Sequence, residues 1–415
     1  MGRYARGPWS DQEILDALHG RDGAQEIRYR ADVLRGGARD REVSLAPGGS
    51  ITLNTEDAIL RAGRFELYDP VDPLTEEIKP YMLLRMGDKV VGTTIIVQTC
   101  AERDALDYTC AQWDALDYTC AELDAGVLSS GTRIKQFAEF PLGVFIPSTP
   151  ARRSAGGLDV WSIEAYDRSI ILAEDGFDEP YFIAAGTKYL DAVLSVLAGA
   201  GIANVMIADY VDTEIQADRE FEVGKTKQEV CNTLLGEINF NPIFCDADGR
   251  FVIQAYQEPT AAAADITYRA DALSIIGRDT ATETDYYKVP NVFIAVCSNP
   301  DLNEDYRSVY INDNPVSPLS TVRRGRRIIS EIYRPDQIAS QADLDAYARR
   351  MAFERSLAAS ETVTFSTSPM PIHGRAEDVE LQHPDASGVY REVGWTIYLD
   401  ADKDMEHTVK RTVIM

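Results

Sequence analysis

Short runs of alternating apolar and polar residues dominate this chain, with Gly, Pro, Asn and Asp between them, and they predict short strands joined by tight turns. Between Ile27 and Asp69 the runs are Ile27–Tyr29, Ala31–Val33, Val43–Leu45, Ile51–Leu53 and Phe65–Tyr68. Others follow at Tyr81–Arg85, Lys89–Val97, Ile134–Phe140, Gly143–Pro147, Leu158–Ala165 and Ile170–Leu172. The pattern returns late in the chain at Ala272–Ile276, Val292–Val296, Val309–Ile311, Val363–Ser366, Asp378–Leu381, Gly394–Leu399 and Val409–Ile414. So many short strands suit a barrel or a sandwich.

The stretch from Gly186 to Tyr256 breaks this grammar and predicts helix, strand, helix, hairpin. Thr187 is placed to cap a helix whose apolar stripe is Tyr189, Leu190, Val193, Leu194 and Leu197, with Gly199 and Gly201 as its stop. Thr226 and Glu229 form a capping box, in which each side chain meets a free backbone N–H, ahead of a face made by Val230, Cys231, Leu234, Leu235 and Ile238. Ile243–Cys245 and Phe251–Ile253 flank Asp246-Ala-Asp-Gly249, a hairpin with glycine for the positive-φ position. Two other helices stand outside this unit. One spans 8–20, with a Ser10/Glu13 capping box and Trp9 and Ile14 at the positions of a hydrophobic staple. The other follows Ser340 over 341–358, with Leu344, Tyr347, Ala348, Met351 and Ala358 on one face. The expected class is α+β, mainly β: an N-terminal arm over 1–28, a β domain over 29–180, a central α/β domain over 181–265 and a second β domain over 266–415.

An internal repeat interrupts the first β domain. Thr99-Cys-Ala-Glu-Arg-Asp-Ala-Leu-Asp-Tyr is followed by Thr109-Cys-Ala-Gln-Trp-Asp-Ala-Leu-Asp-Tyr, and Thr119-Cys-Ala-Glu-Leu-Asp-Ala begins a third copy. Thr99/Glu102, Thr109/Gln112 and Thr119/Glu122 are three successive capping boxes, which predict three very short helices in an acidic insertion over 99–126. Cys100, Cys110 and Cys120 are too widely spaced for a zinc ligand pair and suit small buried hydrophobes.

Composition adds exclusions. The 415 residues carry 67 acidic and 41 basic side chains, a formal charge of −26, which opposes binding to a phosphate backbone. That charge suits solubility, or a negative wall past which a polyanion slides. No apolar run approaches a membrane span, and the start of the chain lacks the apolar core of a secretion signal. Six cysteines in so long a chain are not a secreted disulfide framework, so folding in a reducing cytosol is expected. There is no Gly-x-Ser-x-Gly elbow and no phosphate-binding Gly-x-x-x-x-Gly-Lys loop. His19, His373, His383 and His407 do not pair at the spacing of a helical metal site. Asp246-Ala-Asp248-Gly249 opens like a calcium loop, but Arg250 and Gln257 stand where ligands belong. Arg323-Arg-Gly-Arg-Arg327, the basic knot of the chain, reads as a solvated or salt-bridged turn. No catalytic, cofactor or metal residue is singled out.

The decads resemble the Thr-Trp-x-x-Leu-Asp-Ala-Leu repeats of tailed-bacteriophage tail-tip proteins, with Cys in place of Trp. Other segments resemble the tail hub (baseplate hub) family: Phe140-Pro-Leu-Gly-Val-Phe145, Val160-Trp-Ser-Ile-Glu-Ala-Tyr-Asp-Arg168, Gly186-Thr-Lys-Tyr-Leu190, Asn239 through Phe251, and Tyr287-Lys-Val-Pro-Asn-Val292. The resemblance runs from about Arg41 to Arg411 and leaves the first forty residues uncovered. It implies two similar β-barrels, at 29–180 and 266–415, and a homotrimer whose six barrels meet a six-fold tail tube. It further implies a non-enzymatic virion protein, made in the host cytoplasm, that lines the channel through which DNA passes without specific binding. Its implied partners are the distal tail protein or last tail tube ring, the tape measure protein, and a tail fibre or tip protein. The alternative is a glycan-binding or glycan-cleaving virion or secreted protein.

Overall fold

The computed structural model describes residues 6–20, 25–96, 127–155, 157–257, 264–270, 275–283, 289–297, 306–335, 338, 340–358 and 361–411. The decad repeat at 99–126 lies outside them. In chain order the first elements are α1 (Asp11–Leu18), β1 (Ile27–Arg35), β2 (Ala38–Val43), β3 (Ser50–Asn54), β4 (Arg61–Leu67), β5 (Glu76–Ile96), β6 (Val127–Pro141), β7 (Phe145–Ala155) and β8 (Leu158–Asp167). Then come α2 (Ile170–Glu174), β9 (Tyr181–Ile183), α3 (Tyr189–Gly199), β10 (Val205–Ile207), β11 (Arg219–Phe221), α4 (Lys227–Glu237), β12 (Phe244–Cys245) and β13 (Phe251–Ile253). The remainder is β14 (Ile266–Arg269), β15 (Ile276–Glu283), β16 (Val292–Cys297), β17 (Tyr306–Ile311), α5 (Thr321–Arg324), β18 (Ile329–Tyr333), α6 (Gln341–Ala358), β19 (Thr362–Thr367), β20 (Asp378–Gln382), β21 (Ser387–Tyr398) and β22 (Met405–Arg411). Strand outweighs helix, 46% to 17%, as the alternating pattern requires.

The contacts divide the chain into two compact units, 1–28 with 82–140, and 29–81 with 141–415. In the first, Ser10 and Glu13 cap α1 reciprocally, as expected, and Ile14 and Leu18 are buried. β5 and β6 pair, and Glu26 accepts from Lys135 at 2.8 Å and Arg85 at 3.3 Å.

In the second unit the ladder runs β15-β19-β22-β21-β3-β4-β8-β7-β5-β1-β2, with β14 and β20 branching from β21. Alternation sets its register: Ile51 pairs with Ile397 and Leu53 with Trp395, all four buried. β3 therefore joins strands of the early and late halves of the sequence in one sheet. Among the described residues no closed barrel is found. The branch β14-β20-β21-β22-β19-β15 does begin and end on strands consecutive in the chain. A bridge from Leu45 to Leu67 likewise lays the segment after β2 against β4.

The central helices pack with β12 and β13 around Leu190, Val193, Leu197, Val230, Leu234, Phe240 and Phe251. α4 has the expected Thr226/Glu229 capping box. β12 pairs antiparallel with β13 through a turn in which Gly249 has φ 77°. Two expectations are corrected. The N-cap of α3 is Lys188, not Thr187, and it makes no side-chain cap. Lys188 is extended and bridges Glu214, while the Thr187 carbonyl accepts Ile215 N–H, so the helix starts one residue later. Ile170–Leu172 is not a strand but the start of α2. Asp167 Oδ1 accepts the N–H of Ser169 at 2.8 Å and turns the chain there, and the run is too short to display its period.

Arginines fasten this core to its neighbours through backbone carbonyls. Arg61 Nη1 donates to Cys245 O at 2.5 Å, Arg168 Nη1 to Gly249 O at 3.1 Å, and Arg350 Nη1 to Phe240 O at 2.6 Å. Arg168 also grips Glu77 with both ends of its fork, at 2.6 and 2.7 Å.

Candidate functional site

Two features stand out, one inside and one on the surface. The inner one is a chain of hydrogen bonds in the late β strands. Glu392 on β21 accepts from His373 Nδ1 at 2.6 Å and from His407 Nδ1 on β22 at 2.8 Å. His373 Nε2 lies 2.5 Å from the Tyr268 hydroxyl and His407 Nε2 2.9 Å from that of Thr367. The rings stack among Phe365 and Tyr268, with Phe365 and His407 at 4.8 Å and 10°. A bulge between Glu392 and Gly394 lets β21 keep pairing with β22 while Glu392 faces the imidazoles.

Burial would raise the Glu392 carboxyl, but the charge and hydrogen bonds of His373 and His407 outweigh it and hold it at about 2. Burial pushes the His407 imidazole below its ordinary value against the pull of Glu392. His373, Glu392 and His407 offer ligand atoms within 4.8 Å of one another. A cation between them would have to displace the two protons that already satisfy the carboxylate, so the arrangement fits a polar clamp better than a metal centre. The side chains of His373, Glu392 and His407 are 0–1% exposed, which keeps them from any substrate. No helical spacing announced this cluster, because its members come from β14, β19, β21, β22 and a connection.

The surface feature is a sheet. β16 pairs antiparallel with β17 and parallel with β18. α6 packs on one face, against β16 and β17, burying Ala295, Cys297, Leu344 and Ala348 with Tyr306 and Tyr310 around them. Among the described residues no helix packs on the opposite face, where Val292 at the centre is buried and the outer strands are more exposed. Ile311 and Ile329 flank Val292, and Val309 and Ile332 flank Ile294, in two rows across the sheet. Those four outer residues are 40–57% exposed. Contiguous apolar surface of this kind marks an interaction site. The alternation at Val309-x-Ile311 signals the strand, but which face the helix covers was not readable before folding.

The residues weighed from sequence fall as follows. Asp246 spends its carboxylate on its own turn, accepting from Asp248 N, Arg250 N and Arg250 Nε at 2.8–2.9 Å. The basic knot opens as the one-turn helix α5, capped by Ser320, and Arg324 donates to Val289 O at 2.9 Å. Cys100, Cys110 and Cys120 lie outside the described residues. Exposed aromatics among the described residues, Tyr68, Phe182 and Tyr210, come from three separate elements. No described helix is long and apolar enough to cross a membrane.

No protein-family profile matches the chain, and neither does any curated protein. Solved structures do. The tail protein of Neisseria meningitidis MC58 superposes with a TM-score of 0.57 at 13% identity, covering 92% of this chain and 97% of the other. The 43 kDa tail protein of prophage MuSo2 from Shewanella oneidensis gives 0.56 at 11%, covering 93% and 100%. Prophage tail protein gp18 of Listeria monocytogenes EGD-e gives 0.51 at 10%, covering 92% and 94%. The fold is shared with phage tail proteins. At such identities the likeness establishes the fold alone.

Proposed function

We propose that this chain is a structural, non-enzymatic subunit at the tip of a bacteriophage tail. The observation that carries the proposal is likeness over nearly the whole length of three tail proteins, rather than over one shared domain. In this reading the chain forms a homotrimer. Two β lobes per subunit, at 29–180 and 266–415, let three copies present six similar surfaces to a six-fold tube. The near-cyclic strand orders around β4 and β21 support such lobes. The bare apolar face of β16–β18 supports assembly, since covering it returns about 25 cal/mol per Å² of apolar area.

The trimer joins the distal tail protein or last tube ring to the tape measure protein and to a fibre or tip protein. Its charge of −26 suits a channel wall, because carboxylates repel DNA phosphates and leave the genome free to slide. The protein is made in the host cytoplasm and ends in the virion.

Imaging of intact phage particles with this chain tagged tests the assignment. Label at the tail tip, three copies per particle, is the expected result. Label on the capsid, or on a free secreted protein, contradicts it.

A further inference from the structure

Among the described residues of the second unit, Arg375 makes no salt bridge, although the charge of Glu354 reaches it. Arg375 lies on the connection between β19 and β20, and its Nε is buried with no hydrogen bond. Its Cζ sits 5.3 Å from the centre of the Phe244 ring. Leaving a buried charged donor unmet is costly, so native structures rarely do it without a reason. The next residue, Ala376, has φ 52°, a left-handed conformation of the sort held at ligand clamps.

Arg375 lines a cavity of about 300 Å³ together with three more cations, Arg350, Arg391 and Lys410. Each of those has its own acid. Arg350 Nε donates to Glu354 at 2.8 Å, Arg391 Nε to Asp378 at 2.8 Å, and Lys410 to Glu56. One positive charge is left over, in a chain whose total is −26. Burial, and the nearby charge of Arg350, push the Arg375 guanidinium down to about 10. The remaining wall carries Glu56 and Glu354, the partners of Lys410 and Arg350, and is otherwise partly apolar, with Phe353 and Tyr256.

We propose that this cavity binds a small molecule through an oxyanion, a phosphate or carboxylate group, seated on Arg375. The planar fork of a guanidinium matches two oxygens of either group. Arg350, Arg391 and Lys410 add attraction from three other elements, so the anion ties α6, β21 and β22 to the β19–β20 connection. This inference does not depend on the tail assignment.

The experiment is a titration of the full chain with inorganic phosphate, and separately with acetate, at ionic strength held constant with chloride. Calorimetric heat and melting temperature are read together. The expected result is saturable heat and a rising melting temperature with at least one anion; which anion acts identifies the group. R375Q abolishes both responses. R375K keeps the charge but loses the fork, and weakens binding roughly tenfold, the worth of one charge-assisted hydrogen bond. A wild-type response no different from chloride overturns the proposal, and that result does not rely on the folding of any variant. So does an R375Q protein that responds as the wild type does.

Discussion

At the scale of single residues, stability rests in part on buried charges that are matched by hydrogen-bonded partners. Glu392 and His407 make the chain acid-sensitive in a specific direction. Both titrate lower in the folded state than their ordinary values of 4.5 and 6.5. The unfolded chain therefore takes up protons first as pH falls through 6.5, and again through 4.5, and stability drops at both steps. The contribution of Glu392 is fully present above 4.5 and gone only below about 2. Melting temperature followed from above 6.5 to below 4.5 should fall, and H407N should remove the upper part of that fall; a flat profile contradicts the reading. Arg219 and Glu237 form a second buried pair, with Nη1 at 2.5 and 2.6 Å from the two carboxylate oxygens. E237Q should cost about 3–5 kcal/mol in urea unfolding, whereas R219M/E237L should come close to the parent, because a well-packed apolar pair replaces a desolvated ionic one at little net loss.

At the scale of elements, the hairpin turn at Gly249 is tightly constrained. Its φ is 77°, and an added Cβ would lie 2.6 Å from Val144 Cγ2. G249A should destabilise by about 2 kcal/mol or more, from left-handed strain plus overpacking, as read by chemical denaturation. An unchanged midpoint would mean that the turn is not clamped against Val144, the residue before β7. Here local sequence was informative. Ser10/Glu13 and Thr226/Glu229 announced their helices because both halves of a capping box lie within one turn. Gly249 announced its hairpin because few residues tolerate that backbone. Thr187 and Ile170–Leu172 misled for the complementary reason, since a bridge to Glu214 and the Asp167 carboxylate decide those segments and neither belongs to the local pattern. The Glu392 cluster and the Arg375 cavity were not legible at all. Their members are adjacent only once β14, β19, β20, β21 and β22 have paired and α6 has docked.

At the scale of the whole molecule, the predominance of strand over helix could be read from periodicity, whereas the pairing of β3 with β21 could not. Pairing between strands so far apart in sequence depends on the complete sheet. The same holds for which face of β16–β18 α6 covers. If the opposite face is an interface, an aspartate at its edge, I329D, should weaken association without changing the melting of the isolated chain by more than about 0.5 kcal/mol, the usual range for surface changes. The central claim is that this chain is built to close a ring of three, and native mass measurement of the purified full chain addresses it most directly. The account predicts a dominant species at three times 46.0 kDa, reduced by I329D. A chain that stays at 46.0 kDa at every concentration, and also in the presence of its tail tube protein, would contradict it.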